Sequence, residues 1–373
     1  MRVITTTLLC LMLAMPVANA QIQPQTMRPS ETMPDPGANW FMSISDFGSA
    51  GGMGGYIYDA STGEMHGLIS LGGQSPAVQP NPARHEFYAA NSFYSRGSYG
   101  DRTDVLVIHD YANLKPIAEI EIPKKITVLS FREYIGLMSG GRHIGISNMT
   151  PAQSVSIVDI VDRKFVGEIS TPGCALILPV DNNDFMTMCG DGTLMLVDLD
   201  DNGNEANRAR SKKFFDVQVD PVYDRPQRTA GGWLLISHGG KAFDVTTSGS
   251  RITVSDPWEI VTDEDREAGW WPGGGQLATV HRTLGLLYIS MHQGEQYSHH
   301  EPGTEVWVFS LASKRRIARI EFETPVDNIM VTQEAEPLLI VGDEKKTTQV
   351  YDALKFRHER TIVGPAGGLF EDL

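Results

Sequence analysis

The residue pair with the most definite chemistry is Cys174 and Cys189; a third cysteine, Cys10, lies in the first twenty residues. In an oxidising compartment two such cysteines should pair, which would stabilise the chain by about 3 kcal/mol. The alternative is two buried thiols. Zinc is disfavoured, because no histidine lies near either cysteine.

Other constellations are weaker. Asp198-x-Asp200-x-Asn202-Gly203 opens like a calcium loop, but Ala209 stands where a bidentate glutamate is needed. Asp, Asn and Gly are equally at home in a hairpin turn. Gly273-x-Gly275-x-x-Ala278 resembles part of a dinucleotide fingerprint, yet it follows Trp-Trp-Pro rather than a strand and reads as a turn. His299 and His300 sit among loop-like residues, and a solvated loop is expected there rather than a metal site. Gly-x-Ser-x-Gly, Walker and His-Glu-x-x-His motifs are absent from the sequence. The six tryptophans read as packing anchors between structural units. No catalytic, cofactor-binding or metal-binding residue is assigned, and a platform role is expected.

The elements that would carry these residues follow a repeat: a β-rich strand, Asp or Ser, a tight turn, then a second β-rich strand. Its first strands are Tyr56–Asp59, Val105–Asp110, Val155–Asp159, Leu194–Asp198, Ala242–Val245, Val306–Ser310 and Gln349–Asp352. Seven copies at intervals of roughly 40 to 65 residues suit the blades of a propeller. Alternation with period two gives each strand two unlike faces, so the copies must stack, and radial closure leaves few exposed edges. The aspartate before each turn can bond its own backbone. Runs such as His143–Ser147 and Leu286–Ser290 are expected as inner strands. The fold class is therefore all-β, a seven-bladed β-propeller over residues 40–373, preceded by a flexible arm at 21–39. Trp40–Ile44 is expected to close the ring against the C-terminal blade. Thr262–Ala268 carries a helix-capping signature and leads into Trp270-Trp271-Pro272-Gly273-Gly274-Gly275. This insertion would lie on one face of the ring, where a partner could bind.

Composition sets outer limits. A formal charge of −15 with 21% charged residues argues against nucleic acid, which needs a dense basic surface. Arg2, the apolar run Leu8–Ala14 and Ala18-Asn19-Ala20 match a secretory signal over residues 1–20. The chain is thus expected in the periplasm, and no later run of eighteen apolar residues suggests a membrane span.

Several segments resemble one family. Phe93–Val105, with Tyr94-Ser95-Arg96 and Arg102-Thr103-Asp104, is similar to a block of amine dehydrogenase large subunits. So are Pro172-Gly173-Cys174 with Phe185–Gly192, Val261–Gly274, and His281-Arg282 with Leu286 and Tyr288. Together these blocks resemble the large (heavy, alpha) subunit of tryptophan tryptophylquinone amine dehydrogenases. Met149–Val155 and Cys189-Gly190-Asp191-Gly192 look closer to the aromatic amine than to the methylamine enzymes. The resemblance implies a disulfide between Cys174 and Cys189. It also implies a cofactor-free subunit in a heterotetramer of two large and two small chains. The small, cysteine-rich chain would carry the quinone and the catalytic base, oxidise a primary amine to aldehyde and ammonia, and pass electrons to a cupredoxin of the azurin or amicyanin type. Where that family tends to place a channel-mouth phenylalanine, this chain has Gly72-Gly73-Gln74, making Gln74 the substrate-channel candidate and the entrance more polar. Two other readings stand beside this one: an exported scaffold without an enzyme partner, and a propeller with its own metal or quinone in the central channel.

Overall fold

The computed structural model describes residues 32–46, 52–72, 77–97, 99–123, 132–343, 347–364 and 368–373. The chain divides into two compact units, Met1–Thr32 and Met33–Leu373, and the propeller lies in the second. The expected signal falls outside the described residues, as does Gln74.

The fold is an all-β propeller. Its first sheet comprises β1 (Trp40–Asp46), β2 (Met53–Asp59) and β3 (Met65–Ser70), completed by the last strand of the chain. The second holds β4 (Ala77–Asn81), β5 (Glu86–Tyr94), β6 (Arg102–Asp110) and β7 (Pro116–Ile122). The third holds β8 (Ile135–Leu137), β9 (His143–Asn148), β10 (Ser154–Asp159) and β11 (Lys164–Ser170). The fourth holds β12 (Cys174–Pro179), β13 (Phe185–Cys189), β14 (Leu194–Leu199) and β15 (Glu205–Arg210). In the fifth, β16 (Gln227–Thr229), β17 (Gly232–Ile236), β18 (Lys241–Ser248) and β19 (Arg251–Val254) are joined by β20 (Trp258–Glu259).

After the short helix α1 (Asp263–Glu267) comes an eight-stranded sheet. It contains β21 (Trp270–Pro272), β22 (Ala278–His281), β23 (Leu286–Gln293), β24 (Gly303–Ser310), β25 (Arg315–Val331), β26 (Leu338–Asp343), β27 (Thr348–Asp352) and β28 (Arg357–Ile362). The expectation of seven separate blades is corrected here. Five sheets of four or five strands stand alone, and the sixth and seventh repeats merge into the eight-stranded one. The physical cause is β25, which runs unbroken from the second strand of the sixth repeat into the seventh. Val326 pairs with Gly303 on one side and with Asp343 on the other.

The turn chemistry of the repeat is borne out where its aspartates act. Asp59, Asp110, Asp159 and Asp352 each accept a backbone N–H two or three residues ahead. Four positions after the Asp or Ser stands a left-handed residue: Gly63, Leu114, Arg163, Lys314 or Phe356. In the same hairpins the register slips by one residue, the mark of a bulge. The fourth and fifth repeats depart from this pattern. Asp200, not Asp198, holds the fourth turn, accepting from the backbone of Asn202 and Asn204. Asp244 pairs instead with Lys314 at 2.7 Å.

Two placements differ from expectation. β9 and β23 are second strands, because the shorter β8 and β22 lie inside them. The closing strand, β29 (Leu369–Asp372), joins β1 in the first sheet, so the chain end completes the N-terminal blade. Residues 33–39 precede β1 without regular structure, and the Met33 N–H donates to the Ala112 carbonyl at 2.7 Å. Bulky residues such as Phe41, Phe87, Phe185, Tyr288 and Trp307 fill the space between sheets and are almost wholly buried.

Candidate functional site

Each sheet sends its innermost strand to a shared cavity of about 630 Å³. Val78–Asn81, Ile135–Leu137, Ile177 with Pro179, Gln227 with Arg228, and Glu371 with Asp372 line it, and the eight-stranded sheet contributes twice, through Thr279–Val280 and Met330–Val331. The wall is charged. Arg132 donates to Glu371 at 2.8 Å and to Asp372 at 2.9 Å, and Arg282 approaches Asp372 at 3.6 Å. Burial pushes the Glu371 carboxyl up to about 8 against the pull of Arg132. Burial also raises Glu133, to about 7. Asp372 is likewise penalised by burial, but Arg132 and Arg282 together hold it below its usual value.

A second cluster lies at the α1 insertion. Thr262 and Asp265 form the expected capping box, with Asp265 N–H donating to Thr262 Oγ1 and Thr262 N–H to Asp265 Oδ2. Arg316 binds Asp265 at 3.0 Å and lies 4.0 Å from the centre of the Trp307 ring. Arg319 sits 4.8 Å from the Trp270 ring centre and 5.0 Å from that of Trp307, and forks onto Glu305 at 2.6 and 2.7 Å. Trp307 Nε1 donates to the same carboxylate. The two indoles are 5.5 Å apart and enclosed by these cations. They act as packing anchors, as expected of the tryptophans.

The glycines that follow β21 make a tight crossing. Added side-chain carbons would meet the Glu301 carbonyl at 2.5 Å from Gly273 and the Asp327 carbonyl at 2.6 Å from Gly274. This run is a turn and not a nucleotide cradle. The loop after β23 returns over it. His300 is exposed, as expected of a solvated loop, but His299 is drawn into a ring stack and corrects that reading in part. Tyr223 stacks on His238 at 4.0 Å, and His238 meets His299 edge-on at 4.4 Å. Burial, then the neighbouring His299, push the His238 pKa down to about 4, so its ring is neutral at pH 7. His292 meets Ser298 at 2.7 Å, but no carboxylate is ion-paired to that imidazole among the described residues, and a triad is not formed. Nor do the described residues include a grouping of three or more His, Cys, Asp or Glu able to hold a metal.

Cys174 and Cys189 are bonded, facing each other across β12 and β13. Next to the undescribed Gln74, Gly72 adopts a left-handed conformation against the ring of Phe93, which is 40% exposed. Of the cavity charges, sequence reading touched only Arg282, through the His281-Arg282 block; Arg228, Glu371 and Asp372 lie on short strands with little β signal, and Arg132 and Glu133 on a single 3-10 turn.

A family model for the methylamine dehydrogenase heavy chain matches residues 48–365. The chain belongs to the methylamine dehydrogenase heavy chain family. The heavy chain of Methylophilus methylotrophus is 29% identical over 303 residues, covering 80% of this chain and 74% of that one. The heavy chain of Paracoccus versutus is 27% identical over 316 residues, covering 82% and 72%. These relatives bear the methylamine name, whereas two sequence blocks had pointed to the aromatic enzymes. Solved structures extend the fold beyond the heavy-chain family. A protein of unknown function from Desulfotomaculum acetoxidans superposes with a TM-score of 0.59 at 12% identity, covering 89% of this chain and 98% of that one. A putative 6-phosphogluconolactonase from Bacteroides uniformis gives 0.58 at 11%, with the same coverage.

Proposed function

We propose that this chain is the large subunit of a periplasmic, quinone-dependent amine dehydrogenase, exported by a cleavable signal over residues 1–20. The observation that carries the reading is the family match across residues 48–365, on a propeller whose Cys174–Cys189 bridge lies where the family resemblance put it. The tryptophan tryptophylquinone, borne by a small cysteine-rich partner, supplies the two-electron oxidation of a primary amine to aldehyde and ammonia. This chain holds that partner in a heterotetramer of two large and two small subunits, walls part of the substrate channel, and helps dock a cupredoxin acceptor. Gln74 is placed at the channel mouth, where its amide favours a more polar entrance. The α1 insertion, braced by Arg316 and Arg319, is a preorganised part of the partner-binding face.

The test is purification of the chain from its native periplasm under mild conditions. Co-purification of a small protein with a quinone absorption band that amine bleaches supports the reading. Comparing methylamine with an aromatic amine then fixes the substrate class. Recovery of the chain alone and colourless would replace it with an exported scaffold.

A further inference from the structure

Three arginines, Arg132, Arg228 and Arg282, line the central cavity, a fourth, Arg225, directly precedes the lining residue Pro226, and they are not equally satisfied. Arg132 holds Glu371 and Asp372. Arg225 pairs with Asp224 and donates to the Gly275 carbonyl. Arg282 shares Asp372 at 3.6 Å. Arg228, on β16, has no ion pair among the described residues. It donates one hydrogen bond to the Pro179 carbonyl at 2.9 Å and stands 5.6 Å from the Trp233 ring centre. A guanidinium carries five donors, so most of its capacity is left for the channel. Arg228 and Arg282 line the same cavity, on neighbouring inner strands β16 and β22 or just beyond. Arg228 is exposed to the solvent of the cavity, yet partial desolvation by its walls, then the like charge of Arg282, push its pKa down, with Asp181 pulling the other way.

We propose that Arg228 and Arg282 form a receptor for a small oxyanion inside the central channel. The fork of donors on a guanidinium matches the paired oxygens of a carboxylate or phosphate. Trp233 backs one arginine, while the Gln333 side chain accepts the Arg282 backbone N–H and fixes the start of that segment. A bound anion would relieve the repulsion between the two guanidiniums. The site belongs to this chain and is independent of the amine dehydrogenase reading, so either can fail without the other.

The test is calorimetric titration of the purified full-length assembly, in a chloride buffer, with succinate and separately with inorganic phosphate. Saturable binding of one anion per large chain is expected. Binding of succinate alone identifies a carboxylate receptor, binding of phosphate alone a phosphate receptor, and both outcomes support the proposal. Arg228→Gln and Arg282→Gln should each weaken binding about tenfold or more, the effect of losing one charge-assisted bond. Arg228→Lys, keeping the charge without the fork, should fall between. Should Arg228→Gln fail to fold by circular dichroism, Arg282→Gln carries the comparison. Absence of saturable binding by both anions, or affinities unchanged in the folded Gln variants, overturns the proposal.

Discussion

Arg132 and Glu371 are 239 residues apart in the chain and 2.8 Å apart in space. The pair ties the segment entering the third sheet to the strand that completes the first. Arg132→Gln leaves Glu371 buried without its cation. The expected loss is about 2 kcal/mol at pH 9, where Glu371 is ionised, below the ~3–5 of a fully buried pair because 30% of the Arg132 side chain stays exposed, and it should be smaller at pH 6, where Glu371 keeps its proton. Urea denaturation checks the magnitude, and amide exchange in Leu369–Asp372 should rise.

The same pair sets a pH dependence. Glu371 titrates at about 8 in the folded chain and near 4.3 unfolded, so the native state keeps a proton that the unfolded state has lost. Its contribution is therefore fully present below about pH 4.3 and is lost as pH rises through about 8. Arg132, Asp372 and Glu133 are the charged groups acting on it. The melting temperature should fall between pH 6 and pH 9, and Glu371→Gln should flatten that fall. An equal slope in the variant would remove Glu371 from the explanation.

Gln276 does the work of a strand residue with its side chain. Its amide donates to the Phe370 carbonyl at 3.1 Å and accepts the Phe370 N–H at 2.8 Å, all of it buried. Gln276→Leu keeps much of the volume but strands two backbone groups. A loss of about 2 kcal/mol or more is expected in equilibrium unfolding. The resulting orphan N–H at Phe370 should exchange faster.

Gly63 and Gly203 separate backbone from packing effects. Both have positive φ, at 80° and 82°. An alanine Cβ at position 63 would meet neighbours no closer than 3.5 Å, whereas at 203 it would come within 2.8 Å of the His143 ring. Gly63→Ala should cost about 1 kcal/mol, the left-handed penalty alone. Gly203→Ala should cost measurably more. Equal losses in denaturant would show that the His143 ring simply moves aside.

These relationships were not equally visible in the sequence. The outer hairpins were legible because Tyr56–Asp59 or Val155–Asp159 combine alternating apolar residues with an aspartate whose turn geometry is local. The innermost strands were not. Ile135–Leu137 and Gln227–Thr229 have three residues each, and Ala77–Asn81 contains a proline, so none carries a periodic signal. Arg228, on Gln227–Thr229, was hidden with them. The blade count failed for a related reason: neither Thr324 nor Pro325 breaks β25, because pairing on both flanks outweighs local preference. The cysteine pair was readable, since two thiols are a small combinatorial problem. The ring stack of Tyr223, His238 and His299 was not, being assembled from three distant segments.

The disulfide yields a separate expectation. Cys174 and Cys189 close a loop of 15 residues, so replacing both with serine should cost about 3 kcal/mol in urea. The hairpin itself should survive, since β13 also pairs along β14.

The pairing of Phe41–Ile44 with Leu369–Asp372 also dictates a timetable. Synthesis delivers a polypeptide from its N-terminal side, yet one edge of β1 must wait for residues more than three hundred positions behind it. Until they arrive, β1 offers an open template to any extended peptide nearby, including the same strand of another copy. A nascent chain stalled before residue 369 is therefore an aggregation hazard, whereas a finished one seals its own edge. Holdase chaperones should bind the stalled chain and release the finished one.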